Sequence, residues 1–446
     1  MTLPTAGDAD GSARPHSSGI RVVVVGLGIA GLSAAIECHR KGHSVIALEK
    51  SPKVSPVGGD CISIGANGAR VIRRWANGRV HDDLQELRSE GNEFQVFDDT
   101  GKFLMVYPLS GYERGSGYTL NRGALVWRMY RHACELGIDI RLGCFVSEYW
   151  ETDQGAGVVT DGGRIEGDCV ILADGVHSRG IGALGLTLES RETGLSAFRC
   201  YLSAETVADD PEARWVLEGT DSKDQLREWT KDDVYIAIWT LRRGKSILIY
   251  CQHKDTETSM DSWHGSVQDP TQVLAFLKGW PVRNQLDAVI RHVPPGAFID
   301  QKLVIRKPLK TWLSPGSKIM LIGDAAHAMI PITGQGGSQA IEDAATLAIA
   351  LELAGKSKVS QGLAVAERIR HPRASLVQTE LSRDFDPEFQ GRQDLEATQQ
   401  VQGDQSPPDL SWIFDHDCQK YAYQEFTRVM EAIEGGLPYI PRNIPE

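Results

Sequence analysis

Apolar residues along this chain follow three successive patterns. Residues 21 to 50, RVVVVGLGIAGLSAAIECHRKGHSVIALEK, open with a β-branched run, pass three glycines, continue at helical spacing, break at Gly42 and resume as SVIALE. That order predicts a strand, a tight turn, a helix and a second strand, the unit of a parallel sheet. A helical segment at 121 to 137, then IDIRLGC, then CVILA within 167 to 182 extend the same layer, and the unbroken apolar character of CVILA suits a strand buried on both faces. From about 186 to 300 the spacing changes to alternation in LSAFRCYLSAE, VYIAIWTLRRG and KSILIYCQH, which predicts an antiparallel sheet. Alternation puts Arg199 and Tyr201 on one face of their strand and Tyr235 and Trp239 on one face of theirs. Helical spacing returns at 269 to 294 with a break near Pro281, then from the glycine-rich stretch at 323 to about Gly355, and again at 361 to 380 with an interruption at Pro372. A polar, Pro-tailed stretch at 386 to 409 predicts a linker, and 414 to 433 a closing helix.

The expected organisation is therefore α/β. A Rossmann-like domain falls in two parts, 19–185 (with a small excursion into the second layer near 80–118) and 301–380. A mostly antiparallel substrate domain, 186–300, is inserted between them. A flexible tail precedes at 1–18, and a linker with a C-terminal helical segment follows at 381–446.

Charge narrows the partners. With 47 Lys and Arg against 59 Asp and Glu, net −12, and no basic block, the chain has no electrostatic footprint for nucleic acid. Its eight cysteines form no CxxC pair and no zinc spacing, which predicts reduced thiols, a cytoplasmic setting and no metal site. The first 18 residues lack the apolar core of a signal peptide, and the 15-residue uncharged run at 22 to 36 falls short of the roughly 18 of a membrane helix. Oligomeric state is not readable from the chain.

Three short stretches carry chemistry. In GLGIAG, Gly26 permits the tight turn, Gly28 lets a pyrophosphate approach the backbone, and Gly31 lets helix and strand pack closely. Glu49 ends the second strand 23 residues after Gly26, where a carboxylate can take both ribose hydroxyls. These features predict a dinucleotide without choosing between FAD and NAD, though Glu49 disfavours a 2′-phosphate. In ADGVHS, Asp174 and Gly175 follow a buried strand at the carboxyl end, where open α/β sheets bind ligands. The third stretch, GDAAHAMIPITGQGGSQAIEDA at 323 to 344, sets Asp324, Pro331 and four glycines between a strand and a helix.

In these motifs, and over about residues 20 to 380, the chain resembles the single-component FAD-dependent aromatic hydroxylases, in particular the salicylate hydroxylase-like monooxygenases of fungal aromatic and natural-product metabolism. The resemblance implies Gly26, Gly28, Gly31 and Glu49 at the ADP half of FAD, and Arg122 at the ribityl and pyrophosphate region. It also implies Asp174 and Asp324 as cofactor-binding carboxylates, Pro331 beside the flavin ring, and Gly334, Gly336 and Gly337 offering backbone N–H groups to it. Arg199 stands where fungal relatives direct an Arg at the substrate, with Tyr235 as its phenolic partner. Three positions depart from the pattern: GDCI at 59 to 62, which leaves the flavin contacts around Gly59 open, Ala328 in place of a frequent Pro, and the offset of Arg179.

The implied reaction uses NADH or NADPH to reduce FAD and O₂ to form a C4a-hydroperoxyflavin that hydroxylates an aromatic acid or phenol. The absence of a second GxGxxG fits a transiently bound nicotinamide. Epoxidation or dearomatising oxidation of an indole, alkene or polyketide in secondary metabolism is the alternative, and a flavin-binding protein without turnover the outlying one.

Overall fold

The β-branched run at the start of the chain forms the central strand of a five-stranded parallel sheet, ordered Ile319–Leu321, Cys169–Leu172, Arg21–Val25, Ser44–Glu49, Asp139–Leu142. Val24 stands between Ile171 and Ala47, and Val22, Val23 and Val24 have no exposed surface, so this strand is covered on both faces. Helices Ile29–Arg40 and Gly336–Ala354 pack together over the sheet, and an antiparallel meander, Val146–Glu151, Ala156–Thr160 and Gly163–Gly167, packs against Arg21–Val25 and Cys169–Leu172. The computed structural model describes residues 16–56, 58–256, 266–386 and 409–445, so most of the expected tail and nearly all of the expected linker lie outside the described residues.

The alternating segments form an eight-stranded sheet ordered Ser266–Val267, Phe298–Arg306, Ser190–Ser203, Ser246–Lys254, Val234–Leu241, Leu226–Lys231, Glu93–Phe97, Phe103–Pro108. Every pairing is antiparallel except Leu226–Lys231 with Glu93–Phe97, which is parallel. The excursion near 80–118 thus supplies two strands, and Phe298–Arg306 runs through residue 300, the expected edge of the inserted domain. Alternation divides the faces. Phe198, Cys200, Ile236, Ile238, Ile249 and Cys251 pack with Trp280 and Leu286 in one apolar core, while Arg199, Tyr235, Trp239 and Tyr250 look the other way, into a cavity. The outer strand Phe103–Pro108 is exposed along its whole length.

Two expectations about helices need correction. Pro372 interrupts nothing: Val359–Ser382 is one helix of 24 residues. A helix-interior Pro deletes one hydrogen bond, but the flanking Arg370 and Arg373 are fully buried and bonded to neighbouring elements, and they hold the turn in place. The closing helix is two, Ser411–Phe414 and Cys418–Glu434, because Asp417 accepts from the Lys420 N–H at 3.0 Å and so starts a new helix. No helix of the described residues is long and apolar enough to cross a membrane.

Candidate active site

A cavity of about 280 Å³ is lined by the first glycine turn, the end of Cys169–Leu172, the 323 to 337 loop and the inner face of the eight-stranded sheet. At the turn, Gly26 has φ +91° and a Cβ there would lie 2.6 Å from the Ala173 carbonyl oxygen; a Cβ on Gly31 would lie 1.8 Å from the Gly26 oxygen. A side chain is therefore excluded at both. Gly28 lines the cavity, and a Cβ there would meet nothing within 4 Å. Glu49 ties the second strand to this turn, accepting the Leu27 N–H through Oε2 and the Ser51 N–H through Oε1, each at 2.8 Å.

Arg122 enters from the start of helix Arg122–Glu135, whose cap, Asn121, accepts from the Ala124 N–H at 3.0 Å and donates to the Gly59 carbonyl at 3.1 Å. The Arg122 N–H donates to the Asp60 carbonyl at 2.8 Å, so the 59 to 62 segment and this helix are fixed together.

Asp324 begins a one-turn helix after Gly323 and keeps an exposed carboxylate at the cavity. The loop around it is held from behind. Asp343 accepts from the Gly323 N–H at 3.0 Å and meets His327 Nε2 at 2.6 Å, while Arg370 bonds both Asp343 and Glu342. Burial raises the Glu342 carboxyl, but Arg373 and Arg370 outweigh it and bring it to about 2. Asn67 bridges Glu342 and Gln335, and Arg373 donates to the carbonyls of Trp412, Ile413 and Asn443, so the carboxyl-terminal segment braces the loop.

On the sheet side Arg199 is 4% exposed and its Nη1 lies 3.0 Å from Oδ2 of Asp60, itself 6% exposed; its other Nη donates to Gln301. Burial together with Asp60 pushes the thiol of Cys61, also in the lining, well up, so it stays protonated. Trp239 and Tyr235 share a wall with Tyr250, the two tyrosine rings meeting edge to face at 5.9 Å.

Of the residues expected from sequence, the cavity brings together Gly28, Arg122, Arg199, Tyr235, Asp324, Pro331, Gly334, Gly336 and Gly337. Gly26, Gly31, Glu49 and Gly59 support that lining from outside it. Asp174 also stands outside, where its Oδ2 accepts from the Tyr149 hydroxyl at 3.4 Å and burial raises its carboxyl above the ordinary range. Sequence reasoning missed Asp60, Tyr250 and the Glu342–Arg370 brace. Asp60 lay in the GDCI departure, and Tyr250 in a strand whose alternation was visible but whose cavity face was not.

A dinucleotide turn and a late glycine loop opening on one cavity, faced by an aromatic sheet, define a flavoprotein that acts on a small molecule. Family models described as FAD binding domain match residues 21–57 and 301–380, the two ends of that cavity's first wall. The chain is 45% identical to FAD-dependent monooxygenase okaB of Penicillium ochrochloron over 450 residues, 100% of this chain and 97% of that protein. It is 40% identical to Asperlicin C monooxygenase of Petromyces alliaceus over 454 residues, 100% of this chain and 96% of that one. Among solved structures, CtdE in complex with FAD and its substrate 4 superposes with a TM-score of 0.82 at 40% identity, covering 93% of this chain and 100% of that one. The chain belongs to the FAD-dependent monooxygenases of fungal secondary metabolism. Its cofactor is FAD, with NAD(P)H as co-substrate.

Proposed function

We propose that this monooxygenase oxygenates an electron-rich aromatic small molecule held against the inner face of the sheet. One observation carries the reading: a single cavity has the cofactor motifs on one wall and Arg199, Tyr235, Trp239 and Tyr250 on the other. FAD, reduced by NAD(P)H, supplies the activation of O₂, and the hard chemistry is the cofactor's. The chain's tasks are then placement and exclusion of water.

We infer that Gly26, Gly28, Gly31 and Glu49 hold the nucleotide end, and Arg122 and Asp324 the middle. Pro331 with the backbone of Gly334, Gly336 and Gly337 would hold the ring, with Gly59 and Asp174 behind them. The open space at Gly28 supports the fit, as does the helix Gly336–Ala354, whose first N–H groups begin at the cavity and favour negative charge there. The cavity also borders Leu248, Ile62 and Ile330, apolar side chains suited to a ring that must be kept dry. All eight cysteines are free, in keeping with a reducing, cytoplasmic setting.

Hydroxylation of a phenol or aromatic acid is one outcome of this arrangement. Epoxidation or dearomatising oxidation of an indole or alkene is the second, and full-length likeness to fungal monooxygenases supports it equally. The test is a screen of FAD-loaded protein with NADH and NADPH against aromatic acids, phenols and indoles, with products identified by mass. Consumption of NAD(P)H that rises with an aromatic compound and yields a product heavier by one oxygen supports the proposal. Flavin that binds but is never turned over with any aromatic compound sinks it.

A further inference from the structure

We propose that Tyr250, rather than Tyr235, is the phenolic group that reads the substrate, donating its hydroxyl proton to an uncharged carbonyl-type oxygen. This rests on the reading that an aromatic molecule occupies the cavity. In the sheet Arg199 stands directly opposite Tyr250, whereas Tyr235 stands opposite Gln252.

The two tyrosines differ in what already engages them. Behind Tyr235 lies Glu228, a carboxylate only 2% exposed, which accepts from the Tyr107 hydroxyl at 2.6 Å and is further stabilised by Tyr235. The Tyr235 hydroxyl is thus drawn into a network within the sheet. The Tyr250 side chain is buried and lines the cavity, and its hydroxyl has no hydrogen-bond partner among the described residues. A buried donor left in that state costs free energy that a ligand's acceptor restores. Burial raises the Tyr250 phenol, so it serves as a donor at neutral pH.

Charge selects the kind of acceptor. The Arg199 guanidinium is paired with Asp60 inside the protein, so the two together present no net charge, and the exposed carboxylate of Asp324 on the facing wall is negative. The other cation of the lining, Arg122, is assigned to the cofactor, so beside the sheet a carboxylate would be desolvated with no counter-charge beyond the Arg199–Asp60 pair, whereas a neutral carbonyl needs only a donor. The salicylate-like pairing of an acid group with Arg199 is therefore replaced by a neutral oxygen on Tyr250.

Three probes with one ring separate the cases: indole, indole-3-carboxamide and indole-3-carboxylate, titrated into oxidised FAD-loaded protein and followed by perturbation of the flavin absorbance. The carboxamide should bind at least about tenfold more tightly than the near-isosteric carboxylate. Tyr250→Phe should weaken the carboxamide about five- to tenfold and leave indole unchanged, while Tyr235→Phe should leave the ratio of the two within about twofold. Asp60→Asn, which uncovers the Arg199 charge, should shift preference toward the carboxylate. A carboxylate that binds best to the wild type, or a carboxamide-to-indole ratio that Tyr250→Phe does not change, overturns the proposal. If flavin is bound and none of the three probes perturbs it, the aromatic-substrate reading fails and takes this inference with it.

Discussion

Gly28 and Gly31 share one motif, yet the space around them assigns opposite consequences to the same substitution. Gly28→Ala meets open space, so the apo protein should keep its unfolding free energy to within about 0.5 kcal/mol and lose FAD, seen as flavin released on gel filtration. Gly31→Ala drives a methyl into the Gly26 carbonyl and should cost about 1–3 kcal/mol or more even without flavin, by denaturant titration. Arg199→Ala leaves Asp60 buried and unpaired, which should cost about 3–5 kcal/mol, part of it recovered when Asp60→Asn is added. Both glycines and Arg199 were legible in the sequence, the former from spacing and the latter from likeness to a family. Asp60 was not, because ion pairing between distant segments leaves no local periodicity, and here it falls in GDCI, where the family pattern breaks.

Elements were read best where one rule governs them. The parallel layer followed from apolar runs and glycine turns, and the three inner strands of the large sheet from alternation. The parallel pairing of Glu93–Phe97 with Leu226–Lys231 could not be read, since register between remote strands is set by packing alone. The intact helix through Pro372 was hidden for a related reason: its compensation comes from buried arginines that touch other elements. Arg373 is one of them, so Arg373→Ala should free the carboxyl-terminal segment it holds and speed its removal by protease at least about tenfold. His416, just before the last helix, is lowered from 6.5 to about 4 by burial, only partly offset by Glu342. Between those values the unfolded chain binds a proton that the folded chain does not, so stability rises with pH and is lost as pH falls from 6.5 toward 4. Glu342, held at about 2 against an ordinary 4.5, extends the loss further into acid. The unfolding midpoint should therefore drop between pH 7 and pH 5, and His416→Gln should flatten that part of the profile.

For the molecule as a whole, the outer strand Phe103–Pro108 sets a limit on solubility. Leu104 and Met105 are 50% and 54% exposed, and an uncharged, apolar sheet edge is a template for pairing with another chain. A net charge of −12 opposes this at neutral pH, and near the pI of about 5.5 that opposition vanishes. Met105→Lys should raise the concentration at which light scattering appears near pH 5.5 and leave flavin content unchanged. The wide sequence gap between the two cofactor segments follows from the same layout, since the sheet is threaded between them. The Arg199–Asp60 pair joins that sheet to the cofactor layer, a strand residue on one side and a loop residue on the other. On the proposed reading the pair is a fixed datum for divergence: exchanges at Tyr235, Trp239 and Tyr250 should change what is oxidised while the two walls keep their spacing, whereas loss of the pair should disturb both walls at once.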